Sequence, residues 1–529
     1  MPRRRRDRTP MRAPIMPASP GPVTCLISQC APPAVDTVGE RGRRSSASGP
    51  IAAARHQEWS TMSLSSVLAT FIERNDVARI PADAIASAQI AAVDCLGCML
   101  AGAATETTRI MLDVVAGAGA RGNASVIGTT KRVSMQSAAL INGVAGHALD
   151  YDDINWSLMG HPSVAILPAA LAVAEAKGRS GRELIAAFAL GIEICGKLGR
   201  WANPALYEKG WHATSAIGVI GAAAAAAKLL GLDARRTAMA LGIAASQGAG
   251  LRRNFGSMTK PFHAGNAARA GVMAAELASG GFTADITALE GRFGWFDALS
   301  ARAKPTPQEL ADSLGKPWDV EDPGMLLKLY PACGATHCAI DAMLELRNEA
   351  RFGADDVEAI HCASHPMAPQ MLLHSRPQTG LEGKFSMQFC LSVAAVDGQP
   401  GLRHFSQTWT GDQRIKRLVE RVVFEERANL AQAPSADSLP SEVSVALRDG
   451  RKLQRLVTVP RGDPRKPLST DERARKFREC ASYVMTPRAS GAAWHALNAM
   501  ADASTVGDVI GRLKGKPRGT PADFPELAA

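Results

Sequence analysis

Between Ser63 and about Pro323, apolar residues recur at steps of three and four positions, and glycine or proline marks the ends of the segments. This spacing places the apolar residues on one face of an α-helix, so this part of the chain is predicted to be helical. Segments 164–177 and 217–230 are almost entirely Ala, Val, Ile and Leu, which is typical of helices buried on all sides. The predicted helices include Ala84–Ala101, Gly181–Trp201, His212–Leu230, Ala234–Gln247 and His263–Gly280.

The pattern changes after Pro323, where apolar and polar residues begin to alternate, as in strands with one buried face. Asp449-Gly450 joins two alternating runs and predicts a tight hairpin turn, because both residues tolerate the backbone angles of such turns. Helical spacing lies between the alternating runs, so this part is predicted to be an α+β domain. The predicted strands are 357–364, 418–426 and the two halves of 442–459, and the predicted helices are His337–Asn348 and Phe385–Asp397.

Helical spacing returns near Ser469, where Ser469-Thr-Asp-Glu472 has the sequence of a capping box. A last helix is expected at Ser504–Lys514. We therefore predict a mostly α protein in which residues 62–323 and 467–529 form a large all-α domain, interrupted by an α+β domain at 324–466.

Residues 1–61 have a different composition from the rest of the chain. They contain nine prolines, ten arginines and no lysine. Such a segment buries too little apolar surface to offset the entropy of an ordered chain, so we predict that it is disordered. It resembles a transit peptide in its arginine content, but the prolines interrupt any amphipathic helix. Alternatively, it is a non-native extension and translation begins at Met62.

The net charge of +10 is concentrated at the beginning of the chain of 529 residues, because residues 1–61 contribute +6 and the remaining 468 contribute only +4. We therefore expect no nucleic-acid partner. The ten cysteines are scattered in apolar contexts, which is typical of reduced thiols and favours a cytoplasmic protein. No apolar run reaches the length of a membrane span without glycine, proline or charge, so no membrane partner is expected.

The densest group of chemically active side chains lies in 139–169, an otherwise Ala-, Leu- and Val-rich stretch. Buried carboxylates are costly unless they are paired or used in chemistry, so this stretch is predicted to hold the functional site. A simpler interpretation is an acidic turn whose aspartates cap the next helix. The same side chains also offer the N and O ligands of a divalent metal site. They are His147, Asp150, Asp152, Asp153 and His161.

Two further clusters each precede a predicted helix. His212 lies before a buried Ala-rich helix, and imidazole is the usual acid or base near neutral pH; the alternative is a capping or core histidine. Arg252, Arg253, Lys260 and His263 lie in the other cluster. Cations and free helix N–H groups suit a charged carboxylate, although an ordinary basic surface loop would have the same composition.

A fourth cluster contains Lys328, Tyr330, Cys333 and His337, where the helical part meets the α+β part. Substrate clefts often form at domain junctions. Cys333 is a candidate chemical group, but a single cysteine without an established histidine partner is more often inert.

Taken in order, these clusters resemble the MmgE/PrpD family, which includes 2-methylcitrate dehydratase, cis-aconitate decarboxylase and iminodisuccinate epimerase. The resemblance implies an all-α domain with an inserted α+β lid, a homodimer, no metal or organic cofactor, and a small di- or tricarboxylate substrate bound between the domains. The matching segments span about residues 62 to 480 and read NGVAGHALDYDD…HPS, GWHATS, MTKPFHAGNAARAGVMAAELA, LKLYPACGATHCAIDA and KFSMQFCLSVAAVDG.

Carried over by motif position, the resemblance places four residues at the family's active-site positions, and Lys328 and Cys333 on the lid side. We predict catalytic roles for Asp150, His161, His212 and Lys260. We predict substrate binding by Arg252, Arg253, His263, Lys328, Tyr330 and Cys333.

The chain departs from the decarboxylase pattern at three points. Cys333 stands where that enzyme resembles a histidine-bearing motif, Phe389 stands where it has a tyrosine, and the loop from Asp150 to His161 is one residue longer. We therefore expect a cofactor-independent hydro-lyase similar to 2-methylcitrate dehydratase. An epimerase or decarboxylase of a related acid is the first alternative. A metal-dependent enzyme and a non-catalytic binding protein are the others.

Overall fold

The computed structural model describes residues 62–117, 122–300, 304–433 and 436–517. The prediction for residues 1–61 therefore lies outside the described part. Helices dominate both ends of the described chain. The N-terminal part contains Leu64–Arg74, Ala82–Gly102, Glu106–Gly117, Met135–His147, Pro162–Ala176, Gly181–Ala202, Ala205–Glu208, Ala213–Ala216, Gly218–Leu230, Ala234–Ala245, Thr259–Ser279 and Pro307–Ser313. The C-terminal part contains Thr470–Ser482, Pro487–Asn498 and Val506–Ile510.

The helical core is built on small residues that allow helices to approach closely. Helix Met135–His147 packs against Thr259–Ser279, which also packs against Gly218–Leu230. A Cβ atom added to Gly143 would lie 2.6 Å from the Cα atom of Gly265, so neither helix could keep its position with a larger residue there. This contact fixes the ends of the two helices that carry His147 and Lys260.

The C-terminal helices belong to the same core. Helix Thr470–Ser482 packs against Ala82–Gly102, nearly 400 residues earlier in the sequence. The Ser469 hydroxyl accepts from the Glu472 N–H, and the Glu472 side chain accepts from the Ser469 N–H, which confirms the predicted capping box. Lys476 on this helix donates to Asp94 and to the Tyr151 carbonyl, 2.8 Å away.

The intervening part contains a four-stranded sheet. Strand β3 (Val357–Ser364) pairs in parallel with β4 (Val422–Glu426) and antiparallel with β5 (Ser441–Leu447), which pairs antiparallel with β6 (Lys452–Val457). Helix His337–Ala350 packs on β5 and β6. The other helices of this part are Ala368–Met371, Gly380–Gly383, Met387–Asp397, Gln407–Gly411 and Gln413–Val419.

The predicted strands and the hairpin at Asp449-Gly450 are present, with two differences. Residues 418 and 419 end a helix, so β4 begins only at Val422. A short antiparallel pair, β1 (Ala124–Ser125) with β2 (Arg132–Val133), lies within the part predicted to be all helical. Both differences involve runs of two to four residues, in which periodicity cannot distinguish a strand from a helix.

Two helical stretches, Ala82–Gly102 and Ala213–Leu230, are long and apolar enough to cross a membrane by length and composition alone. Both stretches contain glycine and charged residues, so neither is an uninterrupted apolar run, in agreement with the sequence analysis. The protein buries 67% and 89% of the two apolar segments. Mostly buried helices in a protein core meet the same criteria of length and composition.

Candidate active site

The polar turn that follows helix Met135–His147 is held in an unusual backbone conformation. Asp150 has a φ of 51°, a left-handed conformation that aspartate tolerates better than most residues. Beyond the turn, Ile154 and Leu326 exchange backbone hydrogen bonds of 2.9 and 2.8 Å. This bridge brings the turn against the segment that carries Lys328.

Asp150 binds two lysines through one carboxylate oxygen. Lys260, in the first turn of helix Thr259–Ser279, and Lys328 each place Nζ 2.9 Å from Asp150 Oδ1. Lys328 also donates to the Asp150 carbonyl at 2.9 Å. Burial raises the pKa of Asp150, but the two ammonium charges outweigh it and hold this pKa well below its usual value. One carboxylate thus faces two cations, which leaves positive charge for an anionic ligand.

His161 presents a free basic nitrogen. Its Nδ1 atom lies 2.8 Å from the Asp153 carbonyl and 3.2 Å from Asp152 Oδ2. Both neighbours are acceptors, so Nδ1 carries the proton and Nε2 keeps its lone pair. Nε2 lies 3.7 Å from Asp150 Oδ1. Burial lowers the pKa of His161 to about 4, although Asp152 opposes this. The ring is therefore a neutral base at physiological pH.

Two other histidines stand beside this ring. His147 places Nδ1 2.9 Å from Asp152 Oδ2, so Asp152 accepts from two imidazoles. Burial raises the pKa of Asp152, but these imidazole partners lower it well below its usual value. The rings of His147 and His212 stack with centroids 5.8 Å apart. Burial lowers the pKa of both His147 and His212, so neutral imidazoles cover one side of the site.

Asp153 is the aspartate of the turn that does not face this cluster. Its carboxylate accepts a short hydrogen bond from the Ser163 hydroxyl. Burial raises the pKa of Asp153 well above its usual value, which favours the protonated form of this carboxyl group. Its backbone carbonyl, rather than its carboxylate, contacts His161.

A small cavity lies where the helical part meets the α+β part. The space open to the centre of a water molecule is about 40 Å³. His161, His212, Lys260, Tyr207 and Cys333 form its polar side. The remaining wall is mostly apolar and includes Ile154, Trp156, Met159, Phe255, Met371, Phe385 and Leu439. A carboxylate at the polar side would place the rest of its carbon skeleton against apolar side chains.

The structure brings most of the predicted residues together. Asp150, His161, His212, Lys260 and Cys333 lie at the cavity or in contact with residues that line it. Lys328 is fully buried behind Asp150, and His263 Nδ1 contacts His212 Nδ1 at 3.2 Å. Burial raises the pKa of the Cys333 thiol, and the Asp150 charge raises it further, so the thiol is protonated.

Three further predicted substrate-binding residues, like Lys328 and His263, are not part of the cavity lining. Arg252 donates to the carbonyls of Tyr207 and Gln370 at 2.7 and 2.8 Å, and its guanidinium lies over the Tyr207 ring. Arg253 is exposed to solvent. The Tyr330 hydroxyl donates to Asp341. Their positions in the sequence, next to motif residues, did not reveal that these side chains point elsewhere.

Lys384 opens the KFSMQFC segment of the family resemblance, but the sequence analysis assigned it no role. Its Nζ atom donates to the carbonyls of Leu149 and Pro331 at 2.7 and 2.8 Å. Leu149 precedes Asp150, and Pro331 lies two residues before Cys333. A lysine next to an apolar helical run was the available signal, since a surface lysine would normally have polar neighbours.

The metal hypothesis can be tested on the same geometry. His147, Asp150, Asp152 and His161 each offer a ligand atom, and these atoms lie within 4.8 Å of one another. However, Asp150 Oδ1 already binds two ammonium groups, and the Nδ1 protons of both histidines point at Asp152. A divalent ion at Asp150 Oδ1 would compete with Lys260 and Lys328, whereas Asp150 Oδ2 and His147 Nε2 have no hydrogen-bond partner in the described part of the chain. The two ammonium charges beside Asp150 oppose a divalent cation, although the donor set itself suits one.

Comparison with known proteins decides the family. Residues 66–308 match the MmgE/PrpD N-terminal domain, and residues 330–498 match the MmgE/PrpD C-terminal domain. The chain belongs to the MmgE/PrpD family. This confirms the resemblance that the five sequence segments indicated.

Several relatives in this MmgE/PrpD family are cis-aconitate decarboxylases. The chain is 33% identical over 361 residues to the enzyme of Mus musculus, an alignment that covers 66% of this chain and 72% of the relative. The enzyme of Homo sapiens gives the same identity and length, with 73% of the relative covered. The enzyme of Aspergillus terreus is 26% identical over 430 residues, which cover 77% of this chain and 86% of the relative.

Proposed function

We propose that this chain is a cofactor-independent lyase that acts on a small di- or tricarboxylic acid. The observation that carries the proposal is the arrangement around Asp150, where two buried lysines share one carboxylate oxygen and a neutral histidine places its free Nε2 nearby. Lyase reactions of such acids build negative charge next to a carboxylate. A base together with fixed cations serves that chemistry.

In the proposed mechanism, Lys260 binds a substrate carboxylate, because it is the lysine that lines the cavity. Its charge also stabilises electron density that develops on the carbon next to that carboxylate. Lys328 stays buried and keeps Asp150 ionised. Asp150 in turn holds the Lys260 ammonium in place, through a hydrogen bond of 2.9 Å.

Proton transfer is assigned to His161 and Lys260, beside the neutral His212 ring. His161 Nε2 has a lone pair and takes the proton from carbon when the reaction is a dehydration, and the Lys260 ammonium protonates the leaving hydroxide, which departs as water. When the reaction is a decarboxylation, the carbon–carbon bond breaks and carbon dioxide leaves. The electron pair stays on carbon, which then takes a proton from the Lys260 ammonium.

Decarboxylation of cis-aconitate is the first reaction to test, because the relatives described above carry that name. Dehydration of 2-methylcitrate is the second candidate. It is favoured by Cys333, a small side chain with a protonated thiol at a position where the decarboxylase motif bears a histidine, and by the apolar wall, which suits a methyl group. Phe389 does not favour either reaction, because it packs in an apolar cluster with Val393 and Ile415 and does not line the cavity.

The experiment is a turnover assay on the full chain with a chelator present. The panel contains cis-aconitate, 2-methylcitrate, citrate and iminodisuccinate, with products separated by chromatography. Release of carbon dioxide identifies a decarboxylase, loss of water a dehydratase, and inversion of iminodisuccinate an epimerase. Turnover that disappears with chelator and returns with a divalent ion would favour the metal hypothesis. Tight binding of an acid without turnover would support a non-catalytic protein instead.

Two features of the family resemblance remain proposals. We infer that residues 324–466 act as a lid on an all-α domain made of residues 62–323 and 467–529, and that the protein is a homodimer. Limited proteolysis with and without a bound acid tests the lid, since closure would protect the 324–466 segment. Light scattering of the purified protein gives its mass and tests the dimer.

A further inference from the structure

Lys384 connects the two segments that carry the candidate site. Its Nζ atom donates to Leu149, on the turn before Asp150, and to Pro331, on the segment that carries Lys328 and Cys333. Its own carbonyl accepts from the Cys333 N–H at 2.9 Å. A single residue thus makes three hydrogen bonds that join both sides of the site.

The electrostatic environment of Lys384 differs from that of the other buried lysines. Within the described part of the chain, Lys197, Lys260, Lys328 and Lys476 each contact a carboxylate, whereas the hydrogen bonds of Lys384 go to carbonyls. The Lys384 side chain lies 4.3 Å from the centre of the Phe405 ring. Burial lowers its pKa to about 7, although the Asp150 charge opposes this. A buried ammonium without a carboxylate is costly, and the hydrogen bonds to the two carbonyls offset part of that cost.

We propose that Lys384 is a positioning residue, which holds the Asp150 turn and the Cys333 segment at a fixed separation across the cavity. This inference rests on the proposed function for its kinetic consequences. The physical reason is that Asp150, Lys260 and Lys328 contact one another only when the three segments that carry them keep their relative positions. A displacement of about 1 Å in such a site costs about a hundredfold in rate.

The chain offers a closely matched control. Lys228 also donates to two backbone carbonyls, those of Ile72 and Glu73, at 2.9 and 3.0 Å. It lies on helix Gly218–Leu230 and is half-buried, away from the residues that line the cavity. Replacing it by methionine removes the same kind of bridge without touching the site.

The kinetic experiment compares K384M, K384R and K228M in the full chain. We expect K384M to lower kcat by about a hundredfold, while K228M keeps the wild-type kcat. K384R restores part of the loss, because arginine keeps the charge and the donors in a different geometry. Equal kcat values for K384M and K228M in folded proteins would overturn the proposal.

A second measurement does not need turnover. Among the eight cysteines that the structure describes, Cys333 is 9% exposed and the others are fully buried. Its alkylation rate, followed by peptide mass spectrometry, therefore reports on the position of its segment. We expect K384M to increase this rate by about tenfold, since hydrogen bonds to charged groups are worth at least that factor in a local opening equilibrium.

The two measurements separate the failure of each proposal. If the wild-type protein turns over no acid but K384M alone accelerates the alkylation of Cys333, the proposed function fails and the positioning role stands. If K384M labels Cys333 at the wild-type rate and keeps the wild-type kcat, the positioning role fails whatever the reaction is. Labelling that rises equally in K228M would show a general loss of stability and would also overturn it.

Discussion

The Nδ1 atoms of His212 and His263 lie 3.2 Å apart, so one imidazole donates a hydrogen bond to the other. Burial lowers the pKa of His212 well below its usual value and that of His263 to about 4, so both rings are neutral near pH 7. The two rings must then hold complementary tautomers. The ring that donates the hydrogen bond decides the tautomer of the pair. If His212 donates, its other ring nitrogen is an acceptor; if His263 donates, that nitrogen of His212 carries a proton.

The first prediction concerns this pair. H263A removes the partner of His212 and is expected to lower kcat by about tenfold, because the tautomer of His212 is no longer selected. H263N places an amide near the position of Nδ1 and should retain more activity than H263A. Both variants are compared by kcat and KM on the acid that the panel identifies. If alanine and asparagine have the same kcat as the wild type, His212 does not depend on His263.

The second prediction tests His161 as the proton-transfer group. H161N keeps a donor near the Asp153 carbonyl but removes Nε2, so kcat should fall by about 10²- to 10⁴-fold. H495N, on an exposed face of helix Pro487–Asn498, serves as the control and should keep the wild-type kcat. A fall of less than tenfold in H161N would assign the proton transfer to another residue, with His212 the first to examine.

The third prediction concerns the stability that Asp150 provides. D150N keeps the size of the side chain and tolerates the left-handed φ, but it leaves Lys260 and Lys328 without a counter-charge. Removing one partner of a buried ion pair lowers the free energy of unfolding by about 3–5 kcal/mol. Urea denaturation measures this loss. D449N, in the exposed hairpin, is the control and should unfold near the wild-type urea concentration. If D150N and D449N had the same urea midpoint, Asp150 would not stabilise the fold through its charge contacts with Lys260 and Lys328.

The fourth prediction separates Lys260 from Arg253, which sequence analysis assigned to the same task. K260M removes the cation that lines the cavity and should raise KM by about tenfold or more, because a charge-assisted hydrogen bond to the substrate is lost. R253A should leave KM unchanged, since the side chain points into solvent. A raised KM in R253A alone would show that the substrate binds outside the cavity described here.

The fifth prediction concerns pH. Burial lowers the pKa of His161 to about 4, so its basic form persists well below the usual histidine range and is lost only as the pH falls through about 4. Because the two lysines hold the pKa of Asp150 well below its usual value, Asp150 does not lose its charge before His161 becomes protonated. The acidic limb of the profile of kcat/KM against pH should therefore lie near pH 4. A limb near pH 6.5 would indicate a solvated histidine, and thus a different base.

Local patterns in the sequence were sufficient for much of the fold. Alternation predicted strand β3 with both of its observed ends, Val357 and Ser364, and the Asp449-Gly450 pair predicted the hairpin between β5 and β6. These features depend on neighbouring residues, so a single sequence contains them. Helix Thr259–Ser279, by contrast, begins four residues before the predicted start at His263, because its first turn is stabilised by contacts with distant segments.

The sequence by itself also determined which residue types could act, since it placed Asp150, His161, His212 and Lys260 in apolar surroundings. Only the tertiary structure decided which of them meet. Asp150 contacts Lys260 across 110 positions and Lys328 across 178. Contacts over such separations depend on how whole helices pack, and no local pattern encodes the direction of a side chain. For that reason Arg252, Arg253 and Tyr330 point away from the cavity, while Lys384 emerges as the link between its two sides.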